Sequence, residues 1–210
     1  YSHPTTYTED SLNTLPTGDV ARARANVACL SLLATLPSIV DHSDLTDEQI
    51  DTLNSWCWWG PMAKVLDPRE QSEPWATLRT EANQYFARDP KLLDAAERAT
   101  PTAFYTPDWV MAAAWQIITD FGTPAGPVLE PGCGSGRFIG CAPDGFTVHG
   151  VEADPTSARI ARLLNPTATI YENRLEQQPL PAGYVAAVGN VPYGGIKITP
   201  YGGIKITDRS

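Results

Sequence analysis

The sequence predicts an α/β protein in which a parallel sheet is covered by helices and preceded by an all-helical region. Two patterns and one turn lead to that expectation. From residue 18 to about 100 the apolar residues recur at helical spacing. Beyond residue 125 short apolar runs alternate with helical segments, which is the pattern of a parallel sheet covered by helices. Between the first run and the helix after it stands Glu130-Pro131-Gly132-Cys133-Gly134-Ser135-Gly136, a turn with three glycines.

The helical region begins with "TGDVARARANVACLSLLATL", where Val20, Val27, Leu30 and Leu33 or Ala34 share one face. Thr46 and Gln49 have the form of a capping box and start a second helix that runs through Leu53. Trp56, Trp58 and Trp59 then crowd into four positions beside Gly60-Pro61. They read either as an aromatic plug in a small helical core or as a base-stacking surface. Ser72 and Pro74 open a helix to about Phe86, and Asp89-Pro90 opens another to about Arg98. Thr106-Pro107 starts the helix "DWVMAAAWQIITDF". Strands are expected at 128–130, 147–152, 168–172 and 184–190, with helices at "GRFIGC" and "PTSARIARLLN" between them. Leu129, Phe138, Ile139, Ile160 and Val188 are expected in the core. The segment "PYGGIKIT" occurs at 192–199 and again at 200–207; two copies do not make a solenoid, and the duplication reads as an artefact.

Composition narrows the function classes. A chain of 210 residues with 42% hydrophobic and 19% charged residues buries a substantial core. It contains no apolar run of about 18 residues and no basic, apolar-cored leader, so a cytoplasmic protein with no membrane partner is expected. Tyr1 rather than Met at the start suggests a fragment. The net charge of −9 argues against wrapping nucleic acid over the whole surface, though not against a local basic groove. Cys29, Cys57, Cys133 and Cys141 contain no C-x-x-C pair, and His3, His42 and His149 are far apart, so neither a metal site nor a disulfide framework is expected.

The chemistry concentrates in three places. The glycine turn permits close approach of a ligand to bare backbone, and the following helix N-terminus offers free N–H groups. Its spacing fits neither the dinucleotide fingerprint nor the phosphate-binding loop. Glu152, at the end of "TVHGVE", is positioned at the C-terminal edge of the sheet to accept both hydroxyls of a ribose. Its neighbour Asp154 is suited to cap the helix opened by Pro155. The third place is "AAVGNVPY", residues 186–193, where an apolar run ends in an amide, a rigid bend and an aromatic ring.

Together "EPGCGSGRF", "GVEADP" and "GNVPYG", with "AFYTPDWV" at 103–110 ahead of them, resemble the S-adenosylmethionine-dependent N6-adenine DNA methyltransferases. With "SWCWWGPMAKVLDP" and "PWATLR", the chain is similar to the leading region of large methylase-helicase proteins of phages, plasmids and defence islands. The resemblance spans roughly residues 18 to 194. It implies a Rossmann-like class I methyltransferase sheet, incomplete after the fourth strand, in a core over 101–210 that follows a helical region over 1–100. It also implies S-adenosylmethionine as cofactor, a flipped adenine in DNA as target, and a fused or separate helicase as partner.

The resemblance assigns catalysis to Asn190, Val191, Pro192 and Tyr193. The Asn190 side-chain oxygen and the Val191 carbonyl would accept the two hydrogens of the adenine amine, with Pro192 keeping Val191 extended and Tyr193 stacking on the flipped base. Cofactor contacts are assigned to Phe104, Tyr105, Thr106, Glu130, Gly132, Gly134, Gly136, Glu152 and Asn173. Two of these keep alternatives. Thr106 is equally suited to an N-cap beside two core aromatics, and Glu172 is an equal occupant of the position assigned to Asn173. Val191 stands where the DNA enzymes more often have Pro; Asn-aliphatic-Pro-Tyr also resembles ribosomal-RNA adenine dimethyltransferases. A cofactor-binding module without catalysis is the third reading.

Overall fold

The computed structural model describes residues 15–101 and 106–190, together with the backbone of 196–198 and 204–206. The remainder, which includes Phe104, Tyr105, Val191, Pro192, Tyr193 and the first 14 positions, lies outside the described residues.

From Asp19 to Ala99 the chain is built of helices and loops. The helices are α1 (Asp19–Thr35), α2 (Asp47–Asn54), α3 (Ala63–Leu66), α4 (Trp75–Phe86) and α5 (Pro90–Ala99). Sequence-local chemistry sets several of their starts. Thr46 and Gln49 close a reciprocal capping box, and Asp89 accepts the Lys91 N–H at 2.9 Å with Pro90 in the first turn. Ala23, Val27, Leu30 and Leu33 of α1 are buried against Leu78, Ala82, Tyr85 and Phe86 of α4. At about 1.5–3 kcal/mol for each large apolar side chain removed from water, this face outweighs any single polar contact in the region.

The second half holds α6 (Asp108–Asp120), β1 (Gly126–Pro131), α7 (Arg137–Gly140), β2 (Phe146–Glu152), α8 (Pro155–Leu164), β3 (Thr169–Glu172) and β4 (Ala186–Ala187). The four strands are parallel in the order β3-β2-β1-β4. This is an α/β arrangement compatible with a Rossmann-like fold. The order reverses between β1 and β4, and in open parallel sheets the crevice beyond the strand ends at such a reversal is where ligands bind.

Three expectations are corrected. The fourth strand is paired over two residues rather than seven: Val128 and Leu129 align with Ala186 and Ala187, and hydrogen bonds from Val185 and Val188 continue the contact one step either way. The helix expected at "GRFIGC" is a single turn, Arg137–Gly140. Leu129 is half-buried, whereas Val128 and Glu130 are buried, because alternate residues of a strand point to opposite faces. The two "IKI" segments of the duplication pair with one another, antiparallel and apart from the main sheet, with Ile196 opposite Ile206.

The helical segment is fastened to the sheet through α8. Ile160, Leu163 and Leu164 of α8 belong to the same apolar core as α1 and α4. Around it, Tyr85 Oη and Thr156 Oγ1 are 3.1 Å apart, and Arg159 donates to the carbonyls of Leu33 and Pro37 at 3.0 and 2.7 Å. The His42 ring nitrogen lies 2.6 Å from the Leu163 carbonyl. Trp59 Nε1 donates to Asp154 Oδ2 at 2.7 Å, and both residues are buried.

This last bond generates a prediction. Replacing Trp59 with Phe keeps most of the apolar volume but leaves a buried carboxylate oxygen short of a donor. Trp59→Phe is expected to lower unfolding free energy by about 1–3 kcal/mol in urea titrations.

Candidate functional site

The glycine turn follows β1 directly. Gly132, Gly134 and Gly136 have φ of 72°, 55° and 82°, in the left-handed region where a side chain is strained. Gly132 and Cys133 donate their N–H groups to the Val151 carbonyl at 2.8 and 3.0 Å, which pins the turn to the end of β2.

Glu152 ends β2 and faces this turn. Its Oε2 accepts the Gly134 N–H at 2.8 Å and its Oε1 accepts the Asp154 N–H at 2.7 Å. Burial raises its pKa to about 7, the main cause; the backbone donors act against the rise. Asp154 caps α8 by accepting the Ser157 N–H at 2.8 Å, as its position before Pro155 suggests. The Asn173 N–H donates to the Glu152 carbonyl at 2.9 Å, which sets Asn173 beside Glu152. The side chain of Asn173 closes a local turn through the Arg174 N–H, whereas Glu172 is exposed and paired with Arg162 at 2.8 Å. Glu172 is the register partner of Glu152 in the sheet, so both alternatives stand beside it, Asn173 through its N–H and Glu172 through strand pairing.

Glu130 is buried at 2% exposure, and among the described residues its Oε2 has no hydrogen-bond partner. Burial, and then the neighbouring Glu152, push its carboxyl well above the ordinary range. A buried carboxyl with an unmet oxygen beside a turn of bare backbone fits a cradle for a polar ligand. Gly189 lies against it: a Cβ there would stand 3.3 Å from the Pro131 carbonyl and 3.5 Å from Glu130 Cγ. The chain leaving β4 therefore passes close over the end of β1.

That passage brings Asn190 to the crevice. Its Nδ2 donates to Thr106 Oγ1 at 3.1 Å, joining two segments 84 positions apart. Thr106 makes no cap bond to α6, whose first residue is Asp108 and whose N-cap is Pro107. Asn190 is half-buried. With Nδ2 engaged by Thr106, its Oδ1 keeps its capacity as an acceptor.

Several contributors were not evident in the sequence. Arg137, just after the glycine turn, forms a 2.6 Å ion pair with Asp108, both largely buried, and so locks the start of α6 to the turn. The guanidinium also lies over the Trp58 ring, 5.5 Å from its centroid. The three tryptophans divide. Trp56 and Trp59 are 1% exposed and meet edge to face at 4.9 Å, as a plug. Trp58 is half-buried and turns to the glycine turn instead. A detectable signal for this was Asn26, an amide inside the apolar stripe of α1.

Among the described residues no group of three or more His, Cys, Asp or Glu is arranged to hold a metal ion. Nor is any helix among them long and apolar enough to cross a membrane.

No protein-family model matches the chain, and no solved structure matches it. Two characterised proteins are similar to parts of it. The type II methyltransferase M.XamI of Xanthomonas campestris pv. amaranthicola is 35% identical over 144 residues, which covers 61% of this chain and 26% of that protein. The defense against restriction protein B of Escherichia phage P1 is 33% identical over 95 residues, covering 44% of this chain and 4% of that protein. The chain thus corresponds to about a quarter of the first and a small part of the second.

Titration of Glu152 yields a test of this geometry. Because its pKa is raised from 4.5 to about 7, the folded protein keeps a proton that the unfolded chain has released over that interval. Stability therefore falls as pH rises through the window. Relative to Glu152→Gln, which does not titrate, the native protein is expected to lose on the order of 1–3 kcal/mol between pH 4.5 and 7 in denaturant titrations.

Proposed function

We propose that the chain is the cofactor-binding part of a methyltransferase that moves a methyl group from S-adenosylmethionine to the N6 amino group of adenine in DNA. In this reading residues 1–100 form a helical region and 101–210 the cofactor-binding core. The observation that carries it is the Asn190–Thr106 hydrogen bond at 3.1 Å, formed at the sheet reversal beside the glycine turn. It unites the two motif segments that resemble this enzyme class. The similarity to a type II methyltransferase supports methyl transfer as the reaction class, and the similarity to a defense against restriction protein supports a restriction-modification or anti-restriction setting.

The cradle suits the cofactor. Glu152 can accept ribose hydroxyls with the lone pairs left by Gly134 and Asp154. Asn173 stands next to it and would contact the cofactor's adenine, and the unmet Glu130 oxygen would meet a polar group of the ligand. By the resemblance, Phe104 and Tyr105, ahead of Thr106 in sequence, would contact the methionine end. When bound, S-adenosylmethionine supplies an electrophilic methyl group on a sulfonium.

The residues of the chain act on the acceptor. The adenine amine is a poor nucleophile because its lone pair is delocalised into the ring. Asn190 Oδ1 and the Val191 carbonyl would accept hydrogen bonds from its two N–H groups, which would draw the nitrogen lone pair out of conjugation with the ring and make the amine a better nucleophile. The Thr106 contact engages Nδ2 of the Asn190 amide, which would leave the oxygen for the amine. By the resemblance, Pro192 would favour an extended Val191, and Tyr193 would stack on the flipped base. The DNA reading is preferred over the RNA alternative because the RNA enzymes that share Asn-aliphatic-Pro-Tyr usually carry a strongly basic surface and lack a preceding "FYTP", whereas this chain has a net charge of −9 and carries that segment.

Transfer of labelled methyl from S-adenosylmethionine to unmethylated DNA, followed by digestion to nucleosides, tests the reading. Label is expected in N6-methyladenine. Label confined to structured RNA would turn the reading to the RNA enzymes, and binding without transfer to either acceptor would leave a silent module. Asn190→Ala is expected to slow transfer by about 10²–10³-fold while leaving cofactor affinity nearly unchanged. Glu152→Gln is expected to do the reverse, weakening cofactor binding about 10–100-fold in calorimetry.

A further inference from the structure

Trp58, unlike Trp56 and Trp59, is not part of the buried core. Among the described residues it is the one non-glycine at positive φ, 57°, a conformation that strains a bulky side chain. The strain is held in place by Asn26, which is fully buried. Its Oδ1 accepts the Cys57 N–H at 2.6 Å and its Nδ2 donates to the Trp58 carbonyl. On the next residue, the Trp59 bond to Asp154 anchors the loop to the end of β2. A buried amide and a buried indole thus fix the backbone on both sides, and what they aim is a half-exposed ring.

The ring is aimed at the glycine turn. A Cβ built on Gly134 would stand 3.6 Å from Trp58 Nε1, in ordinary van der Waals contact, so the edge of the indole lies directly beside the turn. Gly134 is also the residue whose N–H is held by Glu152. Arg137 steadies the indole from the other end of the turn. Strain that persists because its surroundings over-determine it is found at ligand sites more than in cores.

We infer that Trp58 is a wall of the cofactor pocket contributed by the helical region, its indole packing against a nucleoside ligand bound at the glycine turn beside Glu152. The inference rests on the reading of the turn as a nucleoside site. It gives the helical region a role in binding: without it the pocket lacks one side.

The experiment measures binding of S-adenosylhomocysteine and S-adenosylmethionine to the whole protein by calorimetry, with tryptophan fluorescence and thermal unfolding alongside. The variants are Trp58→Gly, Trp58→Asn and Trp58→Phe. Gly and Asn tolerate the left-handed backbone, so both are expected to hold the unfolding temperature within a few degrees while weakening ligand binding at least tenfold. The ligand-induced fluorescence change should vanish in all three. Trp58→Phe, which keeps an aromatic face, should recover affinity to within about threefold of the native protein. Native-like affinity and an unchanged fluorescence response in Trp58→Gly would overturn the inference while the nucleoside site stands. Weakened binding accompanied by loss of cooperative unfolding would also overturn it, by assigning Trp58 to the fold. Absence of binding by the native protein would overturn the nucleoside reading itself.

Discussion

Two carboxylates at and just beyond the end of β2, Glu152 and Asp154, tie the glycine turn to the helical region. Glu152 takes the N–H groups of Gly134 and Asp154, and Asp154 takes those of Ser157 and the Trp59 indole. One short relay thus connects the glycine turn, the last strand residue, the first turn of α8 and the helical region. Moving carboxylates out of water costs several kcal/mol each unless donors replace the lost hydration. Here the donors are mainly backbone N–H groups that the turn and the helix start leave unpaired. The residual cost appears as raised pKa values at both residues, in each case chiefly from burial. A carboxylate that titrates near neutrality at the mouth of a crevice is ready to answer to a ligand.

The same relay explains why the helical region is not a loose appendage. Its apolar core is shared with α8, and Tyr85, Arg159 and His42 add polar contacts around the rim. Apolar burial supplies the larger share of the energy, because each net hydrogen bond is worth only about 0.5–1.5 kcal/mol. The polar contacts instead set orientation. Asn26 and Asp154 act on consecutive residues of one loop, and so the direction of Trp58 is settled by groups on two separate elements.

At the sheet reversal, geometry rather than sequence proximity assembles the site. β1 and β4 are neighbours although almost sixty residues separate them, and their ends bring the glycine turn and Asn190 to one crevice. Gly189 permits the close pass over the Pro131 carbonyl. Thr106 arrives from the segment ahead of α6, whose start is locked to the turn by the Arg137–Asp108 pair. An ion pair this well buried adds little net stability, since its Coulomb gain is set against desolvation, but it restricts where the Thr106 segment can lie.

The sequence by itself determined the helices with local punctuation: Thr46 with Gln49, Asp89-Pro90 and Asp154-Pro155 act within a turn of their own positions. It also determined the first three strands to within about two residues and the glycine turn, because alternation and left-handed φ are properties of short stretches. Only the tertiary structure decided the rest. "YVAAVGN" has the apolar content of a seven-residue strand, yet pairing depends on what β1 offers opposite it, and that is Val128 and Leu129. Leu129, expected in the core, is half-buried while Val128 and Glu130 beside it are buried, because the face that becomes buried is chosen by the elements packed on it. Trp56, Trp58 and Trp59 are indistinguishable by residue type; two became core and one faced the glycine turn because Asn26 and Asp154, distant in the chain, hold the backbone between them. Local signals are written within a few residues, whereas a site is made of long-range contacts, and those exist only once the chain has closed on itself.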